Sequence, residues 1–430
     1  MFEIIISCQL FIFILFIILY KRLIFSHGLL NITAFHFIYY FIFYYFGAAE
    51  LYINGGMIND KYLFSVVFYP IISILGMYTT QIFQKNKVNF FVIKYWRFKY
   101  IFIGTISISI LYFISLDTAP ILYVLNGDGI NAAISRSLAT KEYSGPKLLY
   151  YFFRLIVDYI LIYILIYIYI KKEKITKEFI FTLLISEFIA LIDFQKYPAI
   201  NIFLIVFVAI FLFNKKKNNI ASLNISIFFN IKIFLLLLAS YFLLGGLWSS
   251  AAGRLNDLDI YGKFVSIVEN ANIMIEDRLI YGENRPLYVV YSMIPDKVDY
   301  LSGMTFPNPF HLLPYEPIPL SYMVYDEIHP DGDGIPGVRG AAPTVYFSVI
   351  YANFGIVFSF LSMYFFGVVS QYINNKLISS NKYIIPYRYI WLNYFTLFAT
   401  SIDVIYYSER LFILLFLYLF MYKKYPIVNN

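Results

Sequence analysis

Runs of about twenty mostly apolar residues follow one another along nearly the whole chain, and this recurrence limits the fold more than any other feature. A hydrocarbon core about 30 Å thick takes about 20 residues of helix to cross. Hydrophobic residues fill 60% of the 430 positions and charged residues only 14%, against roughly a quarter in soluble domains. The bilayer is therefore the solvent for most of the chain, and soluble-enzyme functions are excluded. Eleven spans can be drawn, near residues 2–20, 30–48, 62–84, 100–116, 148–170, 179–195, 198–213, 233–248, 344–367, 384–401 and 405–422. The expected fold is an all-α, polytopic integral membrane protein.

Charge placement gives the expected orientation. The connections after odd-numbered spans, with the C-terminal tail, carry 20 of the 33 basic residues but only Glu173 and Glu178 among the 26 acids. By the positive-inside rule these connections are cytoplasmic, the N-terminus is outside and the C-terminus inside. The net charge of +7 is thus a topology signal, and no nucleic-acid partner is expected. The first span has Glu3 as its only early side-chain charge, with Lys21 and Arg22 after it. That is the reverse of a signal peptide, so it is read as a retained helix. Cys8 is the single cysteine, so no intrachain disulfide or cysteine zinc site is expected.

Three regions follow. Residues 1–248 hold spans one to eight, with an outer loop near 117–147; residues 249–343 form a large extracytoplasmic loop; residues 344–430 hold spans nine to eleven. A connection as long as the second is far beyond an ordinary turn, and function is expected there. Its latter part, from Met304, is proline-rich and reads as an irregular, folded-back stretch.

Charges that a bilayer discourages mark the candidate residues. Lys61, Lys147, Lys196, Arg339 and Arg410 stand where helices enter from outside. Cations are unfavourable at a helix N-terminus unless an anion neutralises both, so a phosphate-bearing ligand would suit them. The alternative is that each snorkels to the interface or pairs with a neighbour. Arg154 and Asp158 stand four residues apart on one helical face and read as an intramembrane ion pair, either structural or on a substrate path. Glu187 needs a partner too, Lys196 or Arg154. The turn from His329 to Gly334 has only a fragment of a calcium-loop pattern, so no metal site is read from it. P-loop, dinucleotide-binding and zinc-protease motifs are absent from the sequence.

The run AAPTVYFSVIYANFGIVFSFLSMYFFGVV (Ala341 to Val369), preceded by IPDK, TFPNPFHLLPYEPIPL and GVRG, resembles the oligosaccharide repeat-unit polymerases, the Wzy-type O-antigen and capsule polymerases. Members of that family carry a long late outer loop ending in a small-residue and proline element, followed by a helix that opens with an Asn-Phe-Gly-like signature. The resemblance implies a metal-independent membrane glycosyltransferase with no cofactor. It would take a sugar chain from an undecaprenyl-diphosphate donor and join it to a lipid-linked repeat unit outside the bacterial cytoplasmic membrane. A chain-length regulator and a flippase would be its partners, beside membrane lipid. Such chemistry needs cations for the leaving diphosphate and a base for the acceptor hydroxyl. Arg339, between Gly337 and Gly340, is the expected diphosphate ligand, helped by Arg254, Arg136, Lys196 and Arg410. His329 is the first choice of base, with Asp326, Glu327 and His311 behind it. The rival functions are an O-antigen ligase, a flippase or ion-coupled transporter, and an envelope scaffold without catalysis.

Overall fold

The computed structural model describes residues 46–55, 59–83, 90–93, 95–126, 128–140, 143–193, 196–217, 259–276, 284–306, 314–330, 344–377, 384–400 and 408–425, with Tyr44, Phe242, Gly245, Gly246, Ser249, Asn308 and Ala342. The first span, most of the second, and nearly all of the eighth lie outside these residues. The described chain is helical apart from one two-stranded antiparallel ladder. The helices are α1 (Phe46–Gly55), α2 (Asp60–Phe83), α3 (Tyr95–Ile114), α4 (Pro120–Leu125), α5 (Gly129–Ala139), α6 (Lys147–Lys172), α7 (Lys177–Ala190) and α8 (Lys196–Lys217). They continue with α9 (Ile260–Glu276), α10 (Asn284–Met293), α11 (Leu320–Ile328), α12 (Tyr346–Leu377), α13 (Ile385–Thr400) and α14 (Ser408–Met421). Strand β1 (Phe90–Ile93) pairs with β2 (Tyr422–Tyr425).

Four helices, α2, α3, α6 and α12, are long and apolar enough to cross a membrane, and the fold is that of a helical membrane protein. Their outward side chains agree with that. On α12, Leu361, Phe365, Val369 and Tyr372 recur at three- and four-residue spacing and are about half exposed, as are Ile180, Phe181, Leu184 and Phe188 on α7. Contiguous apolar stripes of this kind are avoided on water-facing surfaces.

Helix α6 is the axis of one half. It is almost wholly buried and is surrounded by α3, α7, α8, α13 and α14. In the other half α2 and α12 lie side by side and run in the same direction: Phe64 meets Phe360, Thr79 bonds Tyr364 and Thr80 reaches the Val368 carbonyl. Glycines permit the close approach. A Cβ on Gly76 would run into the Tyr364 carbonyl, and one on Gly367 into the Ser73 carbonyl. Small residues that let backbones touch are how membrane helices associate, since lipid is as apolar as leucine. Phe366 on α12 against Phe395 on α13 joins the halves.

Two ends can be told apart. At one, the ladder ties the start of α3 to the end of α14, and the Arg97 guanidinium donates to the Phe420 carbonyl at 2.6 Å while lying over the Phe420 ring. At the other, segment 284–330 packs on the start of α2, where the Asn59 side chain accepts from the Tyr62 amide and caps the helix. These are called the ladder end and the loop end.

The structure redraws two expectations. The ninth span is not one rod over 344–367. At Gly355 (φ 78°) the α12 backbone leaves helical geometry. The Ser359 hydroxyl sits 3.3 Å from the Phe347 carbonyl, and the Tyr346 and Phe366 rings are 6.0 Å apart. In a straight helix these pairs would be separated by about 18 and 30 Å. Residues 346–354 therefore fold back along 356–377, and only the second arm, of 22 residues, keeps the length of a span. The proline-rich stretch, expected to lack helix, contains α11, because its prolines flank the nine-residue helix and stay out of it: Pro319 sits at the N-cap and Pro330 follows the C-cap His329. Proline is tolerated outside a helix and harmful within it.

Candidate functional site

The break in α12 frees backbone groups, and segment 301–305 takes them up. The Leu301 amide donates to the Ala352 carbonyl at 2.9 Å and the Ser302 amide to the Asn353 carbonyl at 3.1 Å. The Asn353 side chain completes the clamp. Its Oδ1 accepts from the Gly303 amide at 2.8 Å, and its Nδ2 donates to the Thr305 hydroxyl at 2.5 Å and to the Val349 carbonyl at 2.7 Å. Gly355 is favoured by its backbone: its φ is one that side-chain-bearing residues avoid, while a Cβ there would meet the Tyr300 ring only at ordinary contact distance. Phe354 stacks on Phe306. The Asn-Phe-Gly element thus fastens the long loop to a broken helix at the loop end.

Beneath the clamp lies a layer of buried tyrosines. Tyr291 on α10 donates to the Tyr69 hydroxyl at 2.9 Å, Tyr62 donates to Asn284 at 3.1 Å, and Tyr351 donates to the Ile294 carbonyl at 2.8 Å. Burial pushes the Tyr291 hydroxyl well above its ordinary range, so it stays a neutral donor. Above the layer is a charged rim. Lys61 pairs with Asp296 at 3.0 Å and Lys297 pairs with Glu327. Asp326 is exposed next to Glu327, and the His329 ring stands 4.7 Å from that of Tyr325. The rim therefore brings together three of the four residues expected to serve as base, all on or next to α11. Carboxylates and an imidazole at a water-facing edge can accept protons from hydroxyls.

Most of the expected cations have side chains that fall outside the described residues. Arg136 is exposed on α5. Lys196 and Arg410 occupy the first turns of α8 and α14, as expected, with their side chains outside the described residues. Arg339, Arg254 and His311 also lie outside them. Lys61 is engaged by the long loop through Asp296, not by its neighbour Asp60.

The intramembrane pair is present and larger than expected. Arg154 contacts Asp158 at 3.2 Å and Asp193 at 3.4 Å, and the two carboxylates are 2% and 0% exposed. Asp193 stands just past the end of α7, so the guanidinium bridges α6 to the α7–α8 turn. A guanidinium held by two carboxylates is a clasp, with its charge already neutralised, and is unsuited to gripping a second anion. Around Asp158 the helix widens into a π turn, Ile156–Ile160. Asn393 on α13 donates to the Asp158 carbonyl at 2.5 Å and accepts from Asn201 on α8 at 2.7 Å. One polar chain thus couples four helices at the level of the π turn. Asp193, Asn201 and Asn393 escaped the sequence reading. Their one signal was a polar residue inside an apolar run, which does not name its partner. Glu187 is not joined to Arg154; its Oε1 is buried without a hydrogen bond.

Among the described residues no group of three His, Cys, Asp or Glu side chains converges as a metal site. Comparison with family models, with curated proteins and with solved structures finds no match to this chain.

Proposed function

We propose that this chain is a polysaccharide polymerase of the bacterial cytoplasmic membrane. It transfers a growing glycan from undecaprenyl diphosphate to a lipid-linked repeat unit at the outer face, without metal or cofactor. The single observation that carries the reading is the clamp. The residues through which the sequence resembles the Wzy-type polymerases, Asn353 and Gly355, are the ones that hold the long loop against the helix ends. A loop fixed in this way positions His329, Asp326 and Glu327 above the membrane, where an acceptor hydroxyl of a lipid-linked sugar would lie. Arg339, ten residues after His329, is assigned to the leaving diphosphate.

The proposed topology has eleven spans, with the loop end outside and the ladder end in the cytoplasm. The ladder supports it, since the Lys94 connection and the Lys423–Lys424 tail, both assigned to the cytoplasm by charge, pair directly. Reporter fusions after Lys94, Lys174 and Lys376 should read as cytoplasmic and fusions at Gly129, Asn272 and Gly332 as external. A cytoplasmic signal at Gly332 contradicts the orientation.

Deleting the gene should leave surface glycan capped at one repeat unit, seen as a single-rung ladder on a glycan gel. The broken helix and the buried Arg154 clasp also occur in the vocabulary of ion-coupled transporters, and they favour the flippase as second reading. A deletion strain with no surface glycan and repeat units trapped inside would establish it. Arg339→Ala should abolish long chains at normal protein level. Loss of one charge-assisted contact to a leaving group costs on the order of 2–4 kcal/mol, or ~30-fold to 1000-fold in rate.

A further inference from the structure

At the ladder end, near the start of α13, a guanidinium is buried without a counter-ion among the described residues. Arg388 is 8% exposed, in the second turn of α13. Its one hydrogen bond is from Nη2 to the Oδ1 of Asn374 on α12, at 3.1 Å, and its Nε is buried with no acceptor. Asn374 is fully buried and is neutral. The hydroxyl of Tyr389 is buried beside it, also without a hydrogen bond. No carboxylate of the described residues contacts Arg388. Arg154, half-buried on α6, by contrast has two carboxylates.

Removing one partner from a buried ion pair costs several kcal/mol, because it leaves a charge in a poor solvent. An arginine is the last side chain to escape that cost by losing its proton. An arrangement of this kind is stable when a diffusible anion completes it. The geometry selects the class. Asn374 holds Nη2, and Nε has no acceptor, so most of the guanidinium's hydrogen-bonding capacity is unused. Guanidinium groups are suited to oxyanions with two oxygens a short distance apart. At the boundary of a membrane rich in phosphate headgroups, phosphate is the oxyanion at hand.

We propose that the ladder ends of α12 and α13 enclose an oxyanion site, with Arg388 as the binding residue and Asn374 orienting it, for a phosphate group carried by a lipid headgroup or free in solution. The site lies at the opposite end of the bundle from the charged rim, so it is separate from the proposed polymerase chemistry.

The test uses the full chain in dodecyl maltoside micelles, which contain no phosphate. Thermal unfolding is followed with added inorganic phosphate, and again with phosphatidylglycerol mixed into the micelles. At least one addition should raise the midpoint of the wild type. A response to inorganic phosphate identifies a soluble ligand, and a response to phosphatidylglycerol alone identifies a lipid. Arg388→Gln should lose the response. Asn374→Asp is the sharper variant, because it places a carboxylate about where the amide oxygen now accepts. It should raise the midpoint without any anion and abolish the response to both additions. If the wild type responds to neither addition, or if Arg388→Gln or Asn374→Asp responds as fully as the wild type, the proposal is overturned. A lowered anion-free midpoint in Asn374→Asp also overturns it, since a charge lacking a counter-ion would then gain nothing from one.

Discussion

A Gly367→Leu chain is expected to be nearly absent from the folded, detergent-extractable fraction. The carbonyl of Ser73 occupies the space a Cβ would need, and backbone in the middle of a helix cannot step aside as a side chain tip can. Forcing bulk into a packed contact costs on the order of 1–3 kcal/mol when side chains can adjust, and here the two helix axes must separate along their length. Gly76→Leu, which meets the Tyr364 carbonyl from the other partner, should fail in the same way. Gly104→Leu is the control, because nothing lies within 4 Å of its Cβ position; it should extract at the wild-type level. Fluorescence-detected size-exclusion of tagged chains makes the comparison. Equal monodisperse peaks for Gly367→Leu and Gly104→Leu would mean that the α2–α12 contact does not hold the fold.

The second large effect is expected at the clasp. Arg154→Met strands Asp158 and Asp193 in the interior and should cost roughly 3–5 kcal/mol, the range for losing one partner of a buried pair. The combination Arg154→Met, Asp158→Asn and Asp193→Asn removes the charges together and should recover most of the folded protein. The same triple variant separates the two roles an intramembrane pair can have. If glycan chains return with the fold, the clasp is structural, which is the expected result. Folded protein with chains capped at one repeat would assign the three charges to the substrate path.

The contrast between Arg154 and Arg388 shows what the sequence could disclose. Arg154 and Asp158 lie four residues apart, so helical periodicity alone predicts their contact, and it is there. Asp193 and Asn393 reach the same point from 39 and 235 residues away. No periodicity spans that distance; only tertiary packing does. Arg388 is one of the twenty basic residues that mark the cytoplasmic side by charge, and its burial against Asn374 is invisible to a count. The α12 break is a different case. Residues 344–367 are apolar throughout, so hydropathy draws a span, and hydropathy contains no backbone angle. Gly355 gave the only hint, and one glycine in an apolar run is ordinary. Composition likewise marks 304–343 as proline-rich, yet the positions of its prolines leave room for α11. The three carboxylate and imidazole candidates at the end of α11 are legible by residue type, and they lie together because they are near neighbours in the chain.

The pairing of α2 with α12 joins residues 285 apart in the chain, as Thr79 and Tyr364 illustrate. At a synthesis rate of roughly 5–20 residues per second, α2 waits on the order of 15–60 s in the membrane before its partner leaves the ribosome. Through that interval the groove at Gly76 has no helix to fill it. Its surface, small and nearly featureless, makes a poor match for the bulky side chains of other passing helices. Late arrival of the matching glycine face at Gly367 therefore delays the bundle's widest contact until every helix between them has been laid down, with only α13 and α14 still to follow.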